Sequence, residues 1–248
     1  INGYRYRVAC VMVTRKCYHI GMMGLSGEMY EVKTCPVKDN LAAKALIQGI
    51  QQDVQKMIDD APETRVLAIG VAMPGPYRRE KGEMVFITNL SGWDFIPVSS
   101  RLQQGFDIHV FVENDANAGA LAQYWYGAEE EAKDLSYIVA GHCIGQGIIA
   151  NGEILRGSAG IAGELGHTSI YYDGPRCECG SRGCLELYCS VLALENNIRK
   201  RIRNREDATC LAEDFTTLEL GSAIQKKDAL ALEEYVKVCE FLAVGIVN

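Results

Sequence analysis

A chain of 248 residues, 48% of them apolar, is long enough for one large α/β domain or two modest lobes around a sizeable core. Its 25 basic and 32 acidic side chains leave a net charge of -7, which argues against this segment wrapping a nucleic-acid backbone by itself. No apolar run reaches bilayer length and the chain is expected to carry no signal peptide, so the ten cysteines are expected to be reduced thiols of a cytoplasmic protein with no membrane partner. Cys10, Cys143, Cys189 and Cys239 sit among apolar neighbours and are expected to be buried. The chain begins at Ile1 and stops at Asn248 inside an apolar helical pattern, so it is expected to be a piece of something longer.

Arg5 to Val13 and Tyr18 to Met23 read as strands joined by the polar turn Thr14-Arg15-Lys16, and a second turn at Leu25 to Glu28 leads into a third strand, Met29 to Val37. From Asn40 to Asp59, apolar residues at Leu46, Ile47, Ile50, Val54, Met57 and Ile58 predict an amphipathic helix capped by Asp39 or Asn40. Val66 to Ala72 reads as a buried strand ending at Pro74-Gly75-Pro76, and strand, helix, strand in this order suggests a crossover in a mixed sheet. The segment Tyr77 to Thr88 predicts a solvent-exposed hairpin, and Trp93 beyond it is expected to pack.

Val110 to Val112 is a further strand that runs into Glu113-Asn114-Asp115-Ala116-Asn117 and then a helix. An Asp at that junction is either a helix N-cap or, facing a cleft, a base able to take the proton of an attacking hydroxyl. Leu135 to Ala140, Ile144 to Asn151 and Glu153 to Leu155 read as strands, the last two joined over Asn151-Gly152, a favoured type I′ pair. Leu187 to Arg203 predicts one helix, with Leu187, Val191, Leu194 and Ile198 on one face, and the basic run Arg199 to Arg205 is expected to be its solvated C-terminus. Two more helices follow from Thr216 to Asn248, with Asp228 capping the second.

The stretch Gly163 to Glu186 carries the most chemistry. His167 with Cys177, Cys179 and Cys184 could close a tetrahedral site of the kind that holds structural zinc, with Gly180 and Gly183 allowing tight turns. Clustered cysteines can equally be small buried hydrophobes. Two carboxylates, Glu164 and Glu186, bracket the segment and could hydrogen-bond a polyhydroxylated ligand.

Glu164-Leu165-Gly166-His167, followed by Cys177-x-Cys179-Gly180-x-x-Gly183-Cys184-x-Glu186, fills every position of the E-x-G-H and C-x-C-G-x-x-G-C-x-E signature, so the chain resembles the ROK family of repressors, open reading frames and kinases. The resemblance is closest to the sugar-binding domains of its transcriptional regulators, of the xylose-repressor or N-acetylglucosamine-repressor type. It implies a ribonuclease-H-like, actin/hexokinase-type α/β fold of two lobes, placed at 1–115 and 116–248, with the zinc loop in the second lobe. It implies structural zinc on His167, Cys177, Cys179 and Cys184, a monosaccharide bound by Asn89, Asn114, Asp115, Glu164, His167 and Glu186, and a dimer or tetramer. Glu113 to Asn117 resembles the family's catalytic motif, which makes Asp115 the general base of a kinase.

Both phosphate loops depart from the family's kinases. The first turn region, Val11 to Cys17, lacks the usual Asp and glycines, and Gly141-His142-Cys143-Ile144-Gly145 has His142 and Cys143 where Thr and Gly are usual. The resemblance therefore implies a sugar-sensing domain whose helix-turn-helix, preceding Ile1, binds operator DNA. The second reading is a hexose or N-acetylhexosamine kinase using Mg-ATP, and the third a protein that keeps only the fold and the zinc.

Overall fold

The computed structural model describes residues 5–37, 42–85, 92–127, 132–204 and 208–247. Strands β1 (Tyr6–Val13), β2 (Cys17–Gly24) and β3 (Met29–Pro36) form a meander, followed by α1 (Ala43–Asp59), β4 (Arg65–Met73), the short pair β5 (Tyr77–Arg78) and β6 (Glu83–Met84), α2 (Val98–Gln103), β7 (Val110–Asn114) and α3 (Asp115–Tyr126). Five strands make one sheet in the order β3-β2-β1-β4-β7. β1 runs antiparallel to β2 and parallel to β4, and β4 runs parallel to β7, so α1 is the crossover expected from strand, helix, strand.

Period-two alternation decides which face of that sheet is covered. Ala9, Val11 and Val13 of β1, Ile20 and Met22 of β2, Ile69, Val71 and Met73 of β4, and Val110 and Val112 of β7 are buried in one cluster with Leu46, Ile47, Ile50, Val54 and Met57 of α1. Each fully buried Val, Leu, Ile or Met side chain among them contributes about 1.5–3 kcal/mol. The expected helix stripe is recovered, with Ile58 at its partly buried margin. The start of α1 differs: Ala42 occupies the capping position without a side-chain cap, and Asp39 and Asn40, expected there, lie outside the described residues. The hairpin of β5 and β6 is not simply exposed, because Tyr77 and Met84 turn inward and join the cluster, as Trp93 does.

Strands β8 (Leu135–Ala140), β9 (Ile144–Ala150) and β10 (Glu153–Ile154) form a second sheet, and the β9–β10 turn places both Asn151 and Gly152 at positive φ, as a type I′ turn requires. The rest is helical: α4 (Glu186–Cys189), α5 (Val191–Asn204), α6 (Thr217–Gln225) and α7 (Ala229–Val247). The single helix expected from Leu187 to Arg203 is thus two, broken where Ser190 adopts extended backbone (φ -77°, ψ 158°). Ser190 Oγ accepts from the Ala193 amide at 3.1 Å, which lets the chain restart as α5. Thr216 begins α6 with a reciprocal capping box to Glu219, and Asp228 Oδ1 accepts from the Ala231 amide at 3.0 Å at the head of α7.

The basic run is ion-paired as well as solvated, with Lys200 and Arg203 exposed. Arg199 bonds Glu195 at 3.1 Å and lies over the Phe215 ring, Arg201 reaches Glu234 at 2.7 Å and Glu233 at 3.0 Å, and Arg203 meets Glu213 at 3.3 Å. Arg205 lies outside the described residues. Cys189 is buried as expected, but Cys10 and Cys143 are half-buried, and Cys239 is exposed because α7 packs through Leu230, Ala231, Glu234 and Val238 and turns Cys239 outward. All ten cysteines are free thiols.

The chain divides into two compact units, Ile1–Tyr137 with Gly147–Gly163, and Ile138–Gln146 with Glu164–Asn248. The boundary expected after Asp115 falls inside the first unit. Among the described residues, no helix is long and apolar enough to cross a membrane.

Candidate metal centre and ligand-binding residues

In the second unit, a short 3-10 turn (Leu165–His167) delivers His167, and a loop from Tyr171 to Cys184 returns the three cysteines to it. The loop is held by its own backbone. The Cys177 amide donates to Ser181 O at 2.9 Å, the Gly180 amide to Cys177 O at 3.0 Å, the Gly183 amide to Pro175 O at 2.9 Å, and the Ile170 amide to Gly183 O at 2.9 Å. Gly180 and Gly183 have φ of 92° and 62°, and a Cβ on Gly183 would sit 1.8 Å from Tyr171 O. Both glycines are required by conformation, and Gly183 also by space.

One donor atom from each of His167, Cys177, Cys179 and Cys184 lies within 4.8 Å of every other. Cys179 and Cys184 sulfurs are 3.6 Å apart, and Cys177 Sγ is 3.6 Å from His167 Nδ1. A tetrahedral zinc with metal–sulfur bonds of about 2.3 Å and metal–nitrogen bonds of about 2.0 Å has sulfur–sulfur edges of about 3.8 Å and nitrogen–sulfur edges of about 3.5 Å. The donor set and spacing therefore fit such an ion, and 3.6 Å between sulfurs is far beyond a disulfide bond. Burial pushes the Cys177 and Cys184 thiols up, a cost that a divalent cation among the sulfurs would offset.

The two carboxylates flank the same imidazole. Glu186 Oε1, buried, lies 3.4 Å from His167 Nδ1 and 3.7 Å from Cys177 Sγ, while Glu164 Oε2 lies 4.0 Å from His167 Nε2. Nδ1 thus faces the cysteines, and Nε2 faces the Glu164 carboxylate. Glu164, His167, Glu186 and the three cysteines are brought together as expected from the sequence.

In the first unit, Asn114 and Asp115 sit where β7 becomes α3, and the cap is Asn114, not Asp115. Asn114 Oδ1 accepts from the Asn117 amide at 3.0 Å, and its Nδ2 donates to Gly75 O at 3.0 Å and Asp115 Oδ1 at 3.2 Å. Asp115 Oδ1 also accepts from the Ala116 amide at 2.8 Å, and burial raises this carboxyl to about 6, in the range of a proton acceptor near neutrality. Glu113, unremarked in the sequence beyond its place in the motif, organises the junction. Its Oε1 accepts from the Asn114 amide at 3.1 Å and from Asn117 Nδ2 at 3.2 Å, while Oε2 pairs with Arg156 at 2.7 Å and lies 4.0 Å from Arg79. Arg156 is 43 residues away, with nothing local to mark it. Asn89 lies outside the described residues.

The two loops that set kinases apart are also defined. Thr14 closes the first: its hydroxyl donates to Cys17 O at 2.7 Å, its amide donates to the same oxygen at 2.8 Å, and no residue from Val13 to Cys17 has positive φ. In the second, the Gly141 amide donates to Cys143 O at 3.0 Å, and Gly141 O accepts from the Val191 amide at 2.8 Å.

The model of the ROK family matches residues 9–248. The chain belongs to the ROK family. Among the similar ROK proteins are a xylose repressor of Caldicellulosiruptor bescii, 30% identical over 93% of this chain and 59% of that protein, and a glucokinase of Halalkalibacterium halodurans, 29% identical over 90% and 70%. The chain thus spans 59% of the length of that repressor. Among solved structures, a ROK family glucokinase from Streptomyces griseus in complex with glucose and AMPPNP aligns with a TM-score of 0.83 at 25% identity, over 97% of this chain and 78% of that one. A ROK family transcriptional regulator, homologous to the MLC protein of E. coli, aligns at 0.82 with 24% identity, over 99% and 62%. The fold of this ROK chain is accordingly the α/β fold of actin and hexokinase type.

Proposed function

We propose that this chain is the sugar-sensing domain of a ROK-family transcriptional regulator. The observation that carries it is the β1–β2 turn. A phosphate-cradling loop offers converging backbone N–H groups, usually through glycine or residues at positive φ. The turn at Thr14–Lys16 has neither, and Thr14 spends its side chain closing the hairpin. The expected sugar residues Asn114 and Asp115 in the first unit and Glu164, His167 and Glu186 in the second are all kept, with Asn89 added from outside the described residues. A carboxylate serves as a hydrogen-bond acceptor for sugar hydroxyls without serving as a base.

The metal is zinc, and its role is structural: four protein ligands leave no open position, and the knot orients His167 between Glu164 and Glu186. The ligand is a monosaccharide. In the full-length regulator, operator DNA is bound by a helix-turn-helix outside this chain, and sugar acts through its differential affinity for two states of the protein.

The test is thermal denaturation with xylose, glucose and N-acetylglucosamine, run beside an ADP-release assay with Mg-ATP. A sugar present at a hundredfold excess over its Kd stabilises the native state by about 2.7 kcal/mol. Sugar-dependent stabilisation without ADP is the expected result, and turnover would make the chain a kinase.

A further inference from the structure

We propose that Cys17 is a peroxide-reactive thiol, because the β1–β2 hairpin sets its sulfur against an oriented imidazole. This is independent of the sugar reading. Alternation along β2 sends Tyr18 and Ile20 into the core and leaves Cys17 and His19 together on the other face, both half-buried. Cys17 Sγ lies 3.4 Å from His19 Nε2. The opposite ring nitrogen, Nδ1, lies 3.0 Å from Thr34 Oγ1, since the β2–β3 register pairs His19 with Thr34. Thr14 Oγ1 is 3.3 Å from the sulfur, and its own position is locked by bonds to the Cys17 carbonyl at 2.7 Å and from the Cys17 amide at 3.2 Å.

Nucleophile, base and a third group that orients the base are therefore present in order. With the ring proton on Nδ1 and donated to Thr34, Nε2 presents its lone pair to the thiol. No other thiol whose contacts are described above stands in this arrangement: Cys177 meets His167 inside the metal cluster, and Cys189 is buried.

The substrate class is a hydroperoxide. The S–H proton passes to His19 Nε2 as sulfur attacks one peroxide oxygen. The O–O bond breaks, and the leaving oxygen takes the proton back from His19 as water or an alcohol. Thiol and hydroperoxide become sulfenic acid and water or alcohol, with sulfur oxidised by two electrons and the peroxide reduced by two. A general acid matters for this reaction because hydroxide is a poor leaving group.

The experiment treats the chain with hydrogen peroxide in the presence of a cyclic diketone that traps sulfenic acid, and quantifies adducts at each cysteine by peptide mass spectrometry. Exposed Cys239 and free glutathione in the same mixture serve as references. Cys17 is expected to be trapped about tenfold faster than either, or more. His19→Gln should bring Cys17 down to the reference rate with Cys239 unchanged, and Thr34→Val, which leaves the base in place without its orienting hydroxyl, should give an intermediate rate. A Cys17 rate no higher than the references, or one unaffected by both substitutions, overturns the proposal.

Discussion

Replacing Asp115 with Asn removes a titrating group while keeping its geometry, because the amide oxygen can still accept from the Ala116 amide and Asn114 Nδ2. Burial holds the Asp115 carboxyl at about 6 in the folded chain against 3.8 for the free group. A raised carboxyl pKa means that the folded state binds the proton more tightly than the unfolded state. The stabilisation this represents is complete below pH 3.8 and is lost as pH rises through about 6. At 1.36 kcal/mol per unit, the full span is about 3 kcal/mol, and partial exposure of the side chain reduces it toward about 1–2 kcal/mol. The D115N chain should therefore gain stability over wild type by that amount at pH 7.5, with the gap closing near pH 4. Denaturant titrations of both proteins across this range give the difference directly, because pH effects common to the two cancel in the comparison. A difference flat between pH 4 and pH 7 would refute the burial argument, and with it the reading of Asp115 as a group poised near neutrality.

Two further tests concern the metal segment. Gly183→Ala should destabilise by about 3 kcal/mol or more, from positive φ and the collision with Tyr171 O, whereas Gly221→Ala, inside α6 with open space around its Cβ, should stabilise by about 0.5–1 kcal/mol; thermal unfolding separates the signs. Cys184→Ser should reduce zinc from one ion per chain and lower the melting temperature, as should a strong chelator on the wild type, with elemental analysis as the check; full zinc content in the variant would remove Cys184 from the ligand set.

Much of this protein is local and therefore legible without coordinates. The α1 stripe from Leu46 to Met57 and the alternation in β1 and β4 follow from periods of 3.6 and 2. Asn151-Gly152 and Asp228 name their own turn and cap. The cluster of His167 with three cysteines was legible too, because Cys177, Cys179 and Cys184 are close in sequence and two glycines mark the turns between them. Where local signals competed, sequence alone misjudged them. Leu187 to Arg203 is helical by pattern, yet Ser190 breaks it, and the pattern gives no sign that Glu195, Glu213, Glu233 and Glu234 stand beside the arginines from Arg199 to Arg203.

By itself, then, the sequence determined the family, the mixed order of strands and helices, and the donor set of the candidate metal centre, since each is written in neighbouring residues. Only the tertiary structure decided the rest. That Arg156 reaches Glu113 from 43 residues away, and that Thr34 meets the His19 ring beside Cys17, depend on backbone register and long-range closure. Those contacts arise when apolar faces collapse and bring polar groups within hydrogen-bond range, and no local pattern encodes which groups will meet.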